Sequence, residues 1–233
     1  MFFGVTDITL SQLAKCTGLK PRTLQFWTLN DVIQCDPKTE HGGPGVPRRY
    51  SEDEVAVALV LSEIIRMPLQ VGALREIAER FREIMRYGPE NGITDPVHWT
   101  TSHDSDTLMD EARELEKKLG DHKARQQGFE LKKKFWALQD WCALQLAVRG
   151  IRSVVIPGYK RVSVEEQILE LAVDDIGRWQ LSIQHAGHYG HETSDEQAPP
   201  VWSLRLLLNL TRIFARMPSR SQESERENGG RPK

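Results

Sequence analysis

The sequence predicts a mainly α chain with a small β part: a set of short helices first, a long central helical stretch next, and a small antiparallel sheet at the C-terminal end. Three observations carry this. Cap and stop signals bracket short apolar helices up to about Tyr87. Apolar residues at spacings of three and four recur from Leu108 to Gln145. After Gly150 the pattern changes to β-branched or alternating segments cut by Pro157-Gly158 and Asp174-Asp175.

The first helix signal is Thr9 as a side-chain cap, then Leu10, Leu13 and Ala14, then Gly18 as a stop. A second helix starts at once with Pro21 in its first turn, and Leu24, Trp27 and Leu29 continue an inward-facing pattern to about Asn30. Joined by Thr17-Gly18-Leu19, the two make a helix-turn-helix. Asp36 to Pro47 holds three glycines and three prolines, too irregular for a helix. Flanked by Val32-Ile33-Gln34 and Arg48-Arg49-Tyr50, it reads as a hairpin wing with a long tip. Ser51 caps a third helix, with Glu52, Asp53 and Glu54 at its positively polarised end and Val55, Leu59 and Ile64 or Ile65 on its buried side. Met67-Pro68 breaks it. A fourth follows from Leu69, with Val71, Leu74, Ile77, Ala78, Phe81 and Ile84 inward, and ends near Tyr87-Gly88-Pro89.

Residues 1–87 thus form a winged helix-turn-helix domain, and 88–104 read as a connector. Residues 105–149 form a coiled-coil-like helical region suited to dimerisation. Its two stripes, Leu108 to Leu119 and Leu131 to Gln145, are interrupted by Gly120 and Gly128, which leaves a partner-bound long helix and a two-helix hairpin equally open. Residues 150–217 form an α/β or β-rich sensor or interaction region, ending in a strand that turns helical near Thr211. Residues 218–233 contain no large apolar side chain and read as a disordered tail.

At 233 residues the chain has room for one large domain or two small ones, at about 150 residues each. A net charge of -2 means that any nucleic-acid contact must come from local charge placement rather than from a basic chain. The longest apolar run, Val55 to Leu61, falls far short of the roughly 20 residues that cross a bilayer, so no membrane partner is expected. Met1 to Asp7 show no basic region ahead of a long apolar stretch, and the expected location is cytoplasmic. Cys16, Cys35 and Cys142 have no CxxC spacing, which fits a reducing compartment.

Local charge is placed where a helix-turn-helix needs it. Lys20 and Arg22 lie at the start of the second helix, where backbone N–H groups also attract phosphate, and Arg48 and Arg49 lie on the returning strand of the wing. The order of residues resembles the MerR-type transcription regulators from about Ile8 to Ile84. The matching pieces are Ile8-Thr9-Leu10-Ser11-Gln12-Leu13-Ala14, Gly18 through Trp27, Arg48-Arg49-Tyr50-Ser51-Glu52-Asp53, and the helix from Pro68-Leu69. The resemblance implies a winged-helix domain that binds double-stranded DNA and a homodimer joined by a helix after the fourth. It also implies operator distortion that reaches RNA polymerase indirectly through promoter DNA. Carried over position by position, it makes Arg22 and Thr23 recognition-helix contacts and Arg48, Arg49 and Tyr50 wing and phosphate contacts. Trp27 stands where the family usually has tyrosine, offering an indole N–H instead of a hydroxyl, and Gln25 replaces a frequent basic residue.

Three readings compete for residues 150–217. His185, His188 and His191 recur every third residue beside Glu192 and are weak candidates for a metal site, although Gly187 and Gly190 make a helical ligand face unfavourable. Trp99, Trp136, Trp141, Trp179 and Trp202 suit an organic ligand or plain packing. The preferred reading is a region that stabilises the dimer or binds another protein, with no cofactor. No Gly-rich phosphate loop, GxSxG or HExxH is present, and the chain is not expected to be an enzyme. Two other functions fit the same motif: a protein-interaction module that keeps the winged helix as scaffold, and an accessory DNA-architecture factor in recombination.

Overall fold

A computed structural model of the chain describes residues 8–40, 47–101, 104–118, 121–151, 153–154, 162–163, 167–173, 178–185 and 204–217. The chain divides into two units, Met1–Glu79 with Arg212–Lys233, and Arg80–Thr211. It is mainly helical with a small antiparallel sheet.

The first unit begins with β1 (Ile8–Thr9) and α1 (Leu10–Thr17). Thr9 closes a reciprocal cap with Gln12: its Oγ1 accepts the Gln12 backbone N–H at 3.3 Å, and Gln12 Oε1 accepts the Thr9 backbone N–H at 2.8 Å. Gly18 ends the helix at φ 71°, the left-handed conformation that a side chain disfavours. Next come α2 (Pro21–Leu29), the four-residue α3 (Pro37–Glu40), β2 (Arg49–Tyr50) and α4 (Glu52–Ile64). Ser51 Oγ accepts the Glu54 backbone N–H at 3.2 Å, and three carboxylates occupy the positive end of α4. Every residue of α4 from Glu54 to Leu61 is buried, so this helix is the centre of its unit rather than one wall of it. A one-sided stripe was expected here, but Ala56, Val57, Ala58 and Val60 are as enclosed as Val55 and Leu59.

Two further expectations change in this unit. The Arg48 to Tyr50 strand does not close a hairpin with Val32 to Gln34: β2 pairs antiparallel with β1, Ile8 opposite Tyr50 and Thr9 opposite Arg49. Leu29 is 70% exposed, because Leu24, Trp27 and Thr28 already form the inward face of α2. The wing tip, residues 41–46, lies outside the described residues.

The boundary between units falls inside α5 (Val71–Glu90). This helix ends at Glu90, next to the Tyr87-Gly88-Pro89 stop expected. A Cβ on Gly88 would lie 2.2 Å from the Trp141 ring, so the glycine permits a close approach rather than a turn. The stretch read as a connector contains α6 (Pro96–Thr101), whose Trp99 is buried. Then come α7 (Asp104–Glu116) and α8 (His122–Val148). Asp121 caps α8 by accepting the Ala124 backbone N–H at 3.0 Å.

Between the alternatives left open for this stretch, the structure has the two-helix hairpin. Lys132 on α8 pairs with Glu116 near the end of α7, while Leu108 near its start packs on the cluster of Trp99, Leu138, Trp141 and Cys142. Rising numbers on α7 meet falling numbers of the register on α8, which is antiparallel packing. Gly128 does not break α8, since a Cβ there would sit 2.8 Å from the Ala112 carbonyl oxygen. Burial pushes the Cys142 thiol up to about 12, against a weaker lowering by the Thr100 hydrogen bond, so it behaves as a small core residue.

The β part follows the segments expected from alternation. A two-stranded ladder joins β3 (Ser153–Val154) to β4 (Val162–Ser163). A second sheet has β5 (Gln167–Val173) between β6 (Trp179–His185) and β7 (Leu204–Asn209), all antiparallel, with Leu169 opposite both Ile183 and Leu208. Asp140 on α8 accepts the Ile183 backbone N–H at 3.1 Å and fastens the helix to β6. The chain passes without a connecting residue into α9 (Leu210–Phe214), where Ile213 and Phe214 are buried.

Candidate nucleic-acid interface

The candidate site is built on α2, and its neighbours hold that helix at both ends. At its start, Gly18 and Leu19 make a tight turn in which Thr17 Oγ1 donates to the Leu13 carbonyl at 2.8 Å and accepts the Leu19 backbone N–H at 3.3 Å. Lys20, with extended backbone, is the N-cap residue, and Pro21 presets the first turn. At the other end, Arg75 of α5 donates from Nη2 and Nε to the Asn30 carbonyl at 2.7 and 3.0 Å. A cation at that negatively polarised terminus both satisfies a carbonyl and complements the helix dipole. Asp31 then takes φ 56°, a left-handed step that turns the chain from α2 toward the wing.

The wing is tied to the same helix. Thr28 Oγ1 and Tyr50 Oη lie 3.0 Å apart, joining α2 to β2. Gln34 donates its backbone N–H to Glu54 Oε2 at 2.8 Å, and Asp36 donates its own to the Arg49 carbonyl at 2.8 Å. Thr39 Oγ1 accepts the Arg49 backbone N–H at 3.0 Å. These bonds fix the backbone on both sides of the wing, so the arginines on β2 and just before it are held in a set relation to α2.

The expected contact residues separate into two groups. Lys20 and Arg22 are exposed at the start of α2, and Thr23, Arg48 and Arg49 are partly exposed. Trp27 and Tyr50 are instead in the core, at 2% and 0% exposure. Tyr50 spends its hydroxyl on Thr28, and burial pushes its phenol above its ordinary value, partly offset by that bond. Both side chains position the helix and the wing from behind, which corrects their reading as surface contacts. The sequence reading passed over Phe26, 49% exposed, although the spacing of three, four and seven from Arg22 puts Gln25, Phe26 and Leu29 on one face with it.

Several of the other candidates lie outside the described residues. His185 ends β6, while His188, His191 and Glu192 lie outside the described residues, as does Trp202. Among the described residues no group of three or more His, Cys, Asp or Glu side chains is placed to hold a metal ion. Trp99 and Trp141 share one packed cluster and Trp179 is buried, whereas Trp136 is 47% exposed on α8. Cys16, Cys35 and Cys142 form no disulfide, and no described helix is long and apolar enough to cross a membrane.

No curated protein and no solved structure matches the chain. Residues 8–80 match the family model described as MerR HTH family regulatory protein, a span that opens at β1 and closes within α5. The segment that carries the exposed face of α2 and the wing is therefore similar to the helix-turn-helix of MerR-type regulators, and the match supports a DNA-binding regulator of transcription.

Proposed function

We propose that the protein is a sequence-specific transcription regulator of MerR type that binds operator DNA as a homodimer and distorts it, acting on RNA polymerase through the promoter. One observation carries this reading: the free face of α2 begins with Lys20 and Arg22 and is joined through Tyr50 and Thr28 to the strand that follows Arg48. Arg22 and Thr23 probe base edges in the major groove, while Lys20, Arg48 and Arg49 neutralise phosphates. The helical region 105–149 serves association and residues 150–217 serve sensing or interaction.

Binding to duplexes covering the DNA that flanks the protein's own coding region, followed by fluorescence anisotropy over a salt series, tests the reading. Arg48→Ala is expected to weaken binding to all sequences and to lower the salt slope by about one. An unchanged slope would remove Arg48 from the phosphate contacts. No binding to any duplex at low salt would leave the winged helix as a protein-interaction scaffold.

A further inference from the structure

We propose that Phe26 reads thymine, by packing its ring against the C5-methyl group that this base presents in the major groove. The proposal rests on the DNA-binding reading of α2 and extends it to the kind of base pair selected. The inward face of α2 is fully used by Leu24, Trp27 and Thr28, and Phe26, beside Trp27 in sequence, is left half exposed. Of the large apolar side chains that stand exposed among the described residues, Phe26 and Leu29 are both on this helix. They share its outer face with Arg22 and Gln25, also exposed.

The chemistry of that face narrows the occupant. The basic start of α2, Lys20 with Arg22, complements a polyanion rather than an apolar protein surface. A phenyl ring has no donor or acceptor, so it gains nothing from a phosphate oxygen or from a polar base edge. The apolar group that a major groove offers is the thymine methyl. Gln25, the adjacent residue on the same face, has the carboxamide that pairs with adenine N6 and N7. An amide and a ring side by side therefore suit an A·T-containing step.

The test uses the full chain and a duplex recovered from a randomised pool by its retention on the wild-type protein. A copy of that duplex is made with every thymine replaced by deoxyuridine, which removes the methyl groups and leaves the pairing intact. Wild-type protein is expected to bind the deoxyuridine copy about fourfold more weakly for each methyl contacted. Phe26→Ala is expected to bind the original duplex more weakly and the two duplexes equally, while Phe26→Leu, which stays apolar, keeps part of the discrimination. The exposed position makes an unchanged unfolding midpoint the expected folding control. Equal wild-type binding to both duplexes overturns the proposal and leaves DNA binding standing, as does discrimination that survives in Phe26→Ala. A pool from which no duplex is retained overturns both.

Discussion

The central helices of the two units, α4 and α8, are buried in different ways. From Glu54 to Leu61, α4 is enclosed on every side. In α8 an unbroken buried run covers only Trp141 to Leu144, with Leu138, Leu146 and Ala147 beside it, while Phe129 at 54% and Trp136 at 47% stand exposed nearer its start. Lys133 lies 4.7 Å above the Phe129 ring, and Phe135 meets Trp136 edge to face, so the exposed rings of α8 are lined by their own helix. Unit one is organised around a helix filled by small and medium aliphatic side chains. Unit two is organised around close approaches, Gly88 to Trp141 and Gly128 to Ala112, and the bond from Asp140 of α8 to β6. The same residue change should therefore cost different amounts in the two.

The largest effect is expected from Leu59→Ala. Leu59 is fully buried at the middle of α4, and the loss of its side chain should cost about 2–5 kcal/mol in urea unfolding. Trp136→Ala on the open half of α8 removes a larger side chain but should change stability by only about 0.5 kcal/mol. Equal costs for the two would break the contrast.

Gly88→Ala comes next. Its new methyl meets the Trp141 ring at 2.2 Å, and overpacking of this kind costs about 1–3 kcal/mol. Gly72 supplies the control within the same helix α5, because a Cβ there meets nothing within 4 Å. Gly72→Ala should be neutral or stabilise by about 0.4–1 kcal/mol through the unfolded chain. Paired thermal melts compare them, and a shared upward shift would mean that helix propensity rather than ring contact governs both sites.

Much of the fold was legible because its signals are local. Thr9 with Gln12, Gly18, Pro21 and Ser51 mark helix ends within a few residues of themselves, and the alternation of Ile168 to Val173 shows a strand without reference to its partners. What escaped depends on residues distant in sequence. Nothing between Val32 and Tyr50 reveals that β2 pairs with Ile8 and Thr9, and a glycine that stops a helix is spelled like one that admits an indole ring. In the candidate site, Lys20 and Arg22 are exposed and Arg48 and Arg49 partly so, as expected of charge, which resists burial. Trp27, inward by its spacing, and Tyr50 took contact roles from the resemblance alone; aromatic residues suit both a core and an interface, and only their neighbours decide.

Asp140 gives α8 a pH dependence of its own. Burial raises the Asp140 pKa from 3.8 to about 7, opposed by the Ile183 N–H. The folded state thus holds a proton that the unfolded state has released between about pH 4 and pH 7. Stability is greatest below that window, falls as pH rises through it, and levels off above it. Asp140→Asn keeps an oxygen acceptor for Ile183 and removes the titration. Urea midpoints from pH 5 to pH 8 should flatten in the variant, which should gain on the order of 1 kcal/mol at the alkaline end once solvent screening is allowed for. A wild-type midpoint that stays level across the range would place Asp140 in contact with water.

The smallest effect is expected at the rim of α4. Arg216 pairs with Glu63, but both side chains are 39% exposed, and ion pairs of that kind contribute about 0–1 kcal/mol. The apolar residues just before it, Ile213 and Phe214, are 6% and 4% exposed and belong with the C-terminal end of α9. Arg216→Ala should therefore shift the midpoint slightly and only at low salt, whereas Phe214→Ala should cost about 3 kcal/mol at any salt. Reversal of that order would mean that charge holds the C-terminal segment in the first unit. Solvent at 39% of each partner argues against it: an ion pair open to water loses most of its attraction to screening, whereas a ring removed from water retains its full transfer free energy.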